Sequence, residues 1–142
     1  MTNTIQVDIV SAETEIFSGE AEMVFAPAQL GEVGVAPGHA PFISRLNPGE
    51  VRVKLVDGAE QGFYISGGML EVQPSVVTVL SDTALRAEDI DEAAALRAKQ
   101  EAEDALTDRT AAIDYAKAQA EFMEAAAQLR AIERLRRRTG RS

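Results

Sequence analysis

All five prolines of this 142-residue chain lie before residue 75, and after Ser81 the hydrophobic period changes. Those two facts divide the chain more sharply than any single motif. Proline removes a backbone donor and glycine accepts tight turns, so the first part reads as short strands and turns. From Ser81 onward neither residue occurs until Gly140, and alanine, the best helix former, takes over.

In the first part, Ile5, Val7 and Ile9 alternate with Gln6 and Asp8, the period of a half-buried strand. Ile16-Phe17 precedes Ser18-Gly19, read as a turn, and Met23-Val24-Phe25 reads as a strand stopped by Pro27. The stretch Gly31 to Gly49, GEVGVAPGHAPFISRLNPG, holds three prolines and the only histidine. Its turns at Pro37-Gly38 and Pro48-Gly49 enclose a strand at Phe42–Leu46. Val51, Val53 and Leu55 alternate with Arg52 and Lys54. Asp57-Gly58 is the strongest hairpin signal, and Phe63-Tyr64-Ile65 is its return strand. Met69–Val72 and Val76–Leu80 flank Gln73-Pro74-Ser75, a second hairpin. Many short strands with frequent turns predict an all-β sandwich or barrel.

In the second part, Asp89 with Glu92 forms an Asx variant of the capping box, placing a helix from near Ile90 to about Leu106. Thr107-Asp108-Arg109-Thr110 reads as a polar elbow, and a second helix runs from about Ala111 to about Arg138. Ile113, Ala116, Ala120, Met123 and Ala127 form its expected apolar stripe, extended by Leu129, Ile132 and Leu135. A short elbow makes the helices antiparallel neighbours. Each alanine brings about one methyl to an interface, on the order of ~0.8 kcal/mol. The hairpin should therefore form readily and attach weakly, behind a polar linker at Ser81 to Glu88. The fold class is α+β, with residues 1–85 as the β domain and 86–142 as the helical hairpin.

Composition excludes several chemistries. There is no cysteine and one histidine, so disulfides, Cys-ligated zinc and a His-based metal site or triad within one chain are not expected. A net charge of −9 argues against nucleic acid as the main partner. The charge is uneven: Glu88 to Asp108 holds eight acids and two bases, while Arg130 to Ser142 holds six arginines and one acid. MTNTIQVDIV lacks the flank and core of a signal peptide, and no run reaches the ~20 apolar residues of a span. The expectation is a soluble cytoplasmic protein, or one peripheral on the cytoplasmic side of a membrane.

Single residues carry two readings each. Gly67-Gly68 lacks the Lys-Ser/Thr of a phosphate loop and reads as a bulge or close backbone approach. His39 is a turn histidine bonded to backbone, or an interface residue. Glu32 is a solvated loop acid or a partner contact. Glu88, Asp89, Asp91 and Glu92 read as helix-start charges rather than a cation loop. Arg130, Arg134, Arg136, Arg137, Arg138 and Arg141 complement a helix C-terminus, or dock on an acidic partner or on phosphates. No convergent acid, base and nucleophile set appears.

Two segments carry a family resemblance. Gly31-Glu32-Val33-Gly34-Val35-Ala36-Pro37-Gly38-His39-Ala40-Pro41 resembles the G-E-x-G-x-x-P-G-H-A-P signature of the epsilon subunit of bacterial F-type ATP synthases. Ile65-Ser66-Gly67-Gly68-Met69-Leu70-Glu71-Val72 resembles that family's second signature. The resemblance implies an N-terminal β-sandwich of about ten strands and a C-terminal antiparallel two-helix hairpin. It implies a non-catalytic central-stalk subunit that binds gamma and the c-ring, couples proton flow to ATP synthesis, and is peripheral on the cytoplasmic side of the bacterial inner membrane. By matched position, Glu32 faces the c-ring, and His39 and Ser44 face gamma. The hairpin is implied to lie against the sandwich or to extend along gamma and oppose ATP hydrolysis. Its arginines, Arg130, Arg134, Arg136, Arg137 and Arg138, would then meet the beta (and alpha) subunits. The family's I/L-D-x-x-R-A nucleotide motif matches Ile90-Asp91-Glu92-Ala93-Ala94-Ala95, where Ala94 replaces the arginine, so no cofactor is expected. The rival expectation is a free-standing β-sandwich module that holds a small ligand.

Overall fold

The longest strand is where the sheets join. In the computed structural model, which describes residues 3–107 and 115–139, β1 (Ile5–Ser11) leads into the 14-residue β2 (Glu15–Ala28). The strands β3 (Gly31–Val35), β4 (Phe42–Leu46), β5 (Gly49–Leu55), β6 (Glu60–Ile65), β7 (Gly68–Val72), β8 (Val76–Ser81) and β9 (Ala84–Arg86) follow. The helices are α1 (Glu92–Thr107) and α2 (Tyr115–Arg138). Nine strands among the described residues stand where about ten were expected. Residues 108–110 of the expected elbow, the helix start near Ala111, Ile113 and Arg141 fall outside the described residues.

β2 pairs with β1 through its first half, and with β5 and β3 through its second, touching β4 at Ala28. The strand order is β1-β8-β7-β4-β2-β5-β6-β9, and β1 also pairs with β2, so the first five close on themselves. β1 and β8 run parallel. Alternation then directs Val7, Ile9, Val24, Val51, Val53, Phe63, Ile65, Leu70, Val77 and Val79 into one interior where each is fully buried.

Both predicted hairpins form. Gly58 has φ of 88°, and the Asp57 Oδ1 accepts from Ala59 N at 2.8 Å. Gln73 and Val76 exchange backbone bonds around Pro74-Ser75. Ser18-Gly19 is not a turn but lies inside β2. Ser18 Oγ donates to Asp8 Oδ1 at 2.8 Å across to β1, and a Cβ at Gly19 would meet the Phe17 ring at 3.2 Å. The glycine is there for the phenylalanine, not for chain reversal. Nor does Pro27 stop the strand. Past Phe25 β2 has left β5, and Pro27 uses only its carbonyl, accepting from Asn47 N at 2.8 Å.

The expected linker is largely structure. Ala84–Arg86 pairs with β6, and Ala87–Asp89 forms a 3₁₀ turn. Arg86 donates to the Ile16 carbonyl at 2.9 Å and lies over the Phe63 ring. This displaces the helix start. Ile90 stays extended at φ −75° and packs with Tyr64 and Ala87, so Asp91, not Asp89, caps α1 by accepting from Ala94 N at 3.1 Å.

The expected stripe on α2 is also corrected. Ala116, Ala120 and Met123 are exposed. Ala118, Ala125 and Ile132, seven apart, are buried on α2, as are Ala95 and Ala102 on α1, the helix it packs against. A second row, Ala127, Ala131 and Leu135, meets Tyr64 and Ala87 on the sandwich. Two partners require two rows, and the single large Met123 was a poor guide among alanines. The cluster around Tyr64 is separate from the sandwich interior, because Phe63 and Ile65 point inward while Tyr64 points out.

Candidate partner-binding surfaces

Two places on the surface are not explained by folding alone. The first is the outer face of β4, β7 and β8. Register sets Arg45 opposite Met69 and Met69 opposite Leu80. The outward side chains therefore include Ile43, 69% exposed, with Met69 and Leu80 about half exposed, and Arg45, Glu71 and Thr78 among them. Leu30, at the β2–β3 turn, is fully exposed. Leu30, Phe42, Ile43, Ser44 and Met69 line an open groove of ≈ 530 Å³ with Glu32 at its edge. Large exposed apolar side chains gathered among polar ones in this way mark a binding site. The sequence did hold a signal for it. Phe42-Ile43, Met69-Leu70 and Val79-Leu80 are apolar doublets, and in a strand a doublet makes both faces apolar.

The structure gathers the expected residues around this groove in part. Glu32 lies on β3, not in a loop, because Gly31–Val35 pairs with the end of β2. Its carboxylate accepts from Arg52 at 2.7 Å, and Arg52 also reaches Glu60 at 3.3 Å and stacks over Phe25 at 4.4 Å. Exposed pairs contribute at most ~1 kcal/mol, so Glu32 is positioned rather than locked. Ser44 lines the groove, and its Oγ donates to the Arg45 carbonyl at 2.8 Å. His39 is half-buried outside it, with Nδ1 2.7 Å from the Ala40 carbonyl and its ring edge-on to Phe42 at 6.4 Å.

The second place is the arginine end of α2. Arg134 and Arg138 reach the two oxygens of Glu50 at 3.2 and 3.4 Å, and Arg136 pairs with Glu92. Arg130 and Arg137 are exposed. In this conformation three of the five arginines thus have partners within the chain. Glu50, on the outer face of β5, has a side chain only 2% exposed. Burial pushes its carboxyl above the usual range, against the opposing pull of Arg138 and then Arg134. Burial and the nearby Glu124 push the Tyr64 phenol up to about 12, although Gln128 hydrogen-bonds to it. Glu124 is itself raised by burial and by Glu121.

Comparison with known proteins covers nearly the whole chain. A family model described as ATP synthase, Delta/Epsilon chain, beta-sandwich domain matches residues 4–87. A second, described as ATP synthase, Delta/Epsilon chain, long alpha-helix domain, matches residues 88–133. The ATP synthase epsilon chain of Nitrosococcus oceani is 64% identical over 140 residues, covering 99% of this chain and all of that one. That of Thioalkalivibrio sulfidiphilus is 63% identical, covering 98% and 99%. Among solved structures, a chain of the Euglena gracilis mitochondrial ATP synthase shares the fold at a TM-score of 0.72 and 23% identity, over 95% of this chain and 81% of that one. A chain from the Tetrahymena thermophila mitochondrial ATP synthase central stalk and c-ring gives 0.61 at 12%, over 90% and 96%.

Proposed function

We propose the function from this premise: the chain belongs to the delta/epsilon family of ATP synthase subunits, and the relatives it matches over their full length are epsilon chains. Its role is that of a central-stalk subunit without chemistry of its own, which transmits rotation between the proton-driven ring and the catalytic head. The observation that carries this is the set of uncovered apolar side chains, Ile43, Met69 and Leu80, on the outer face of β4, β7 and β8. A rigid sheet with a greasy outer face is a coupling part, since a packed sandwich passes on torque without deforming. The ligand-holding alternative is less well supported, because the sandwich interior is filled by its own side chains.

The partners are those the family resemblance implies, and the exposed side chains support them. Gamma covers Ile43, Met69 and Leu80, with His39 and Ser44 at the margin, and Glu32 is turned toward the c-ring. Among the described residues no helix is long and apolar enough to cross a membrane, so attachment to the inner membrane goes through the complex. The hairpin is a movable arm. When it lifts, Arg130, Arg134, Arg136, Arg137 and Arg138 become available to an acidic surface of the beta (or alpha) subunit. No nucleotide is assigned to the start of α1, where Ala94 stands.

Ile43→Asp tests the coupling face. Ile43 is exposed, so the substitution should leave thermal unfolding unchanged within ~0.5 kcal/mol. A charge in place of an exposed apolar anchor should weaken binding to purified gamma by about a hundredfold. Equal affinity of the variant and the parent chain would place gamma elsewhere.

A further inference from the structure

Glu50 is an unusual place for a charge. It lies on the outer face of β5, opposite Tyr64 in register, and α2 closes over it. Charge-assisted contacts between guanidinium and carboxylate normally measure about 2.7–2.9 Å and are often bidentate. Here each oxygen has one contact, at 3.2 Å from Arg134 and 3.4 Å from Arg138. The Arg52–Glu32 pair, whose guanidinium also reaches Glu60 and lies over Phe25, closes to 2.7 Å. Arg138 Nε is buried without a partner. Gly62 on β6 clears the space, since a Cβ there would overlap both Glu50 Oε2 and the Arg138 guanidinium. Three charged groups therefore meet in a built recess, and the carboxylate gains little from it.

The two sides of the contact are not equal. Removing a carboxylate from water costs several kcal/mol, and only well-made pairs recover it. Arg134 has given up less, while Arg138, 17% exposed, is also largely out of water. Arg134 remains 39% exposed, and both sit in the last turns of α2, where the carbonyl end of the helix favours cations. We propose that Glu50 is a release element: its carboxylate, buried under α2 with only long contacts to Arg134 and Arg138, opposes the docked position of the arm and regains water when the arm lifts. The inference rests on the reading of the hairpin as a movable arm. Alanines in the Tyr64 cluster hold the arm, and Glu50 limits how firmly.

Acidity removes this opposition. The groups facing Glu50 are Arg134 and Arg138 from α2 and Tyr64 from β6. Arg52 and Glu60, further along β5 and β6, engage each other. An acid whose pKa is raised in the docked state favours docking below its ordinary value of 4.5 and loses that contribution as pH rises through the raised value. The arm is held more tightly as pH falls.

The full-length chain has no cysteine, so nitroxide labels at Asp57→Cys and Gln119→Cys report the distance between sandwich and arm. Arg138→Met strands the carboxylate and should lower the docked-to-lifted ratio at least tenfold. Adding Glu50→Gln to that variant should restore the ratio to within about threefold of the parent or above it. A clamp predicts the opposite: the double variant as loose as Arg138→Met or looser, which overturns the proposal. Excess gamma separates the two levels of inference. If gamma lifts the arm but Glu50→Gln restores nothing, only the role of Glu50 falls. If neither gamma nor any variant changes the distance, the movable arm itself falls.

Discussion

Gly68→Ala should lower the unfolding free energy by about 3 kcal/mol or more, the largest single-methyl effect expected in this chain. Gly68 has φ of 139°, and a Cβ there would overlap the carbonyl oxygen of Leu80. That oxygen is backbone in β8, paired through the Leu80–Met69 register, and cannot swing away as a side chain end would. Gly67, with φ of 115°, sits 3.2 Å from the Leu46 carbonyl by the same measure. The pair lets β7 enter between β4 and β8 at close range. Chemical denaturation reads the effect as a shift in midpoint at unchanged slope. For a domain of this size, ~3 kcal/mol corresponds to a fall of roughly 10 °C or more in the thermal midpoint. A loss under ~1 kcal/mol would mean the strands have room to separate, and the close approach is not structural.

Phe63→Ala should cost about 3–5 kcal/mol, the range for emptying an aromatic site in a core. Phe63 is fully buried, its ring is 5.3 Å from that of Phe17, and the Arg86 guanidinium lies 5.4 Å over it. One deletion therefore removes the interior contact, an aromatic partner on β2 and the support under β9. Tyr64, the next residue, faces the arm. The two positions make opposite demands, so the consequences differ. Phe63→Ala should loosen the sandwich and the arm together, since the platform for α2 is the same strand. Parallel loss of both, followed by near-ultraviolet circular dichroism and by the sandwich-to-arm distance, is the expected result. Loss of the arm alone would show that Phe63 contributes little to the sheet interior.

The legible parts of the fold were those where one local rule decides. Asp57-Gly58 gave its hairpin, and the alternation of Val51, Val53 and Leu55 gave their inward face. The misread parts needed a tertiary partner. Gly19 resembles a turn glycine, but it makes room for the Phe17 ring. Asp89 and Asp91 are equally good caps in sequence, and only the packing of Ile90 against Tyr64 chooses between them. On α2, almost any phase finds alanines, so periodicity could not tell which row meets α1 and which meets the sandwich. Glu50 was not singled out at all. Its neighbours in sequence, Val51 and Arg52, make it one more alternating polar residue, and its burial is created by a helix more than eighty positions away.

Two apolar clusters stay separate in this chain: the sandwich interior, and the alanine contact around Tyr64 that seats the arm. Alanine contacts of ~0.8 kcal/mol per methyl can hold a helix in place without becoming part of the sheet's own stability. The direct measurement is the affinity for gamma of the full chain beside that of a chain ending at Glu88. Equal affinity within about threefold, ~0.7 kcal/mol, with the short chain still folded, is the predicted result. A short chain that fails to fold, or that binds gamma a hundredfold more weakly, would contradict it, because the strands would then need the helices to do their part.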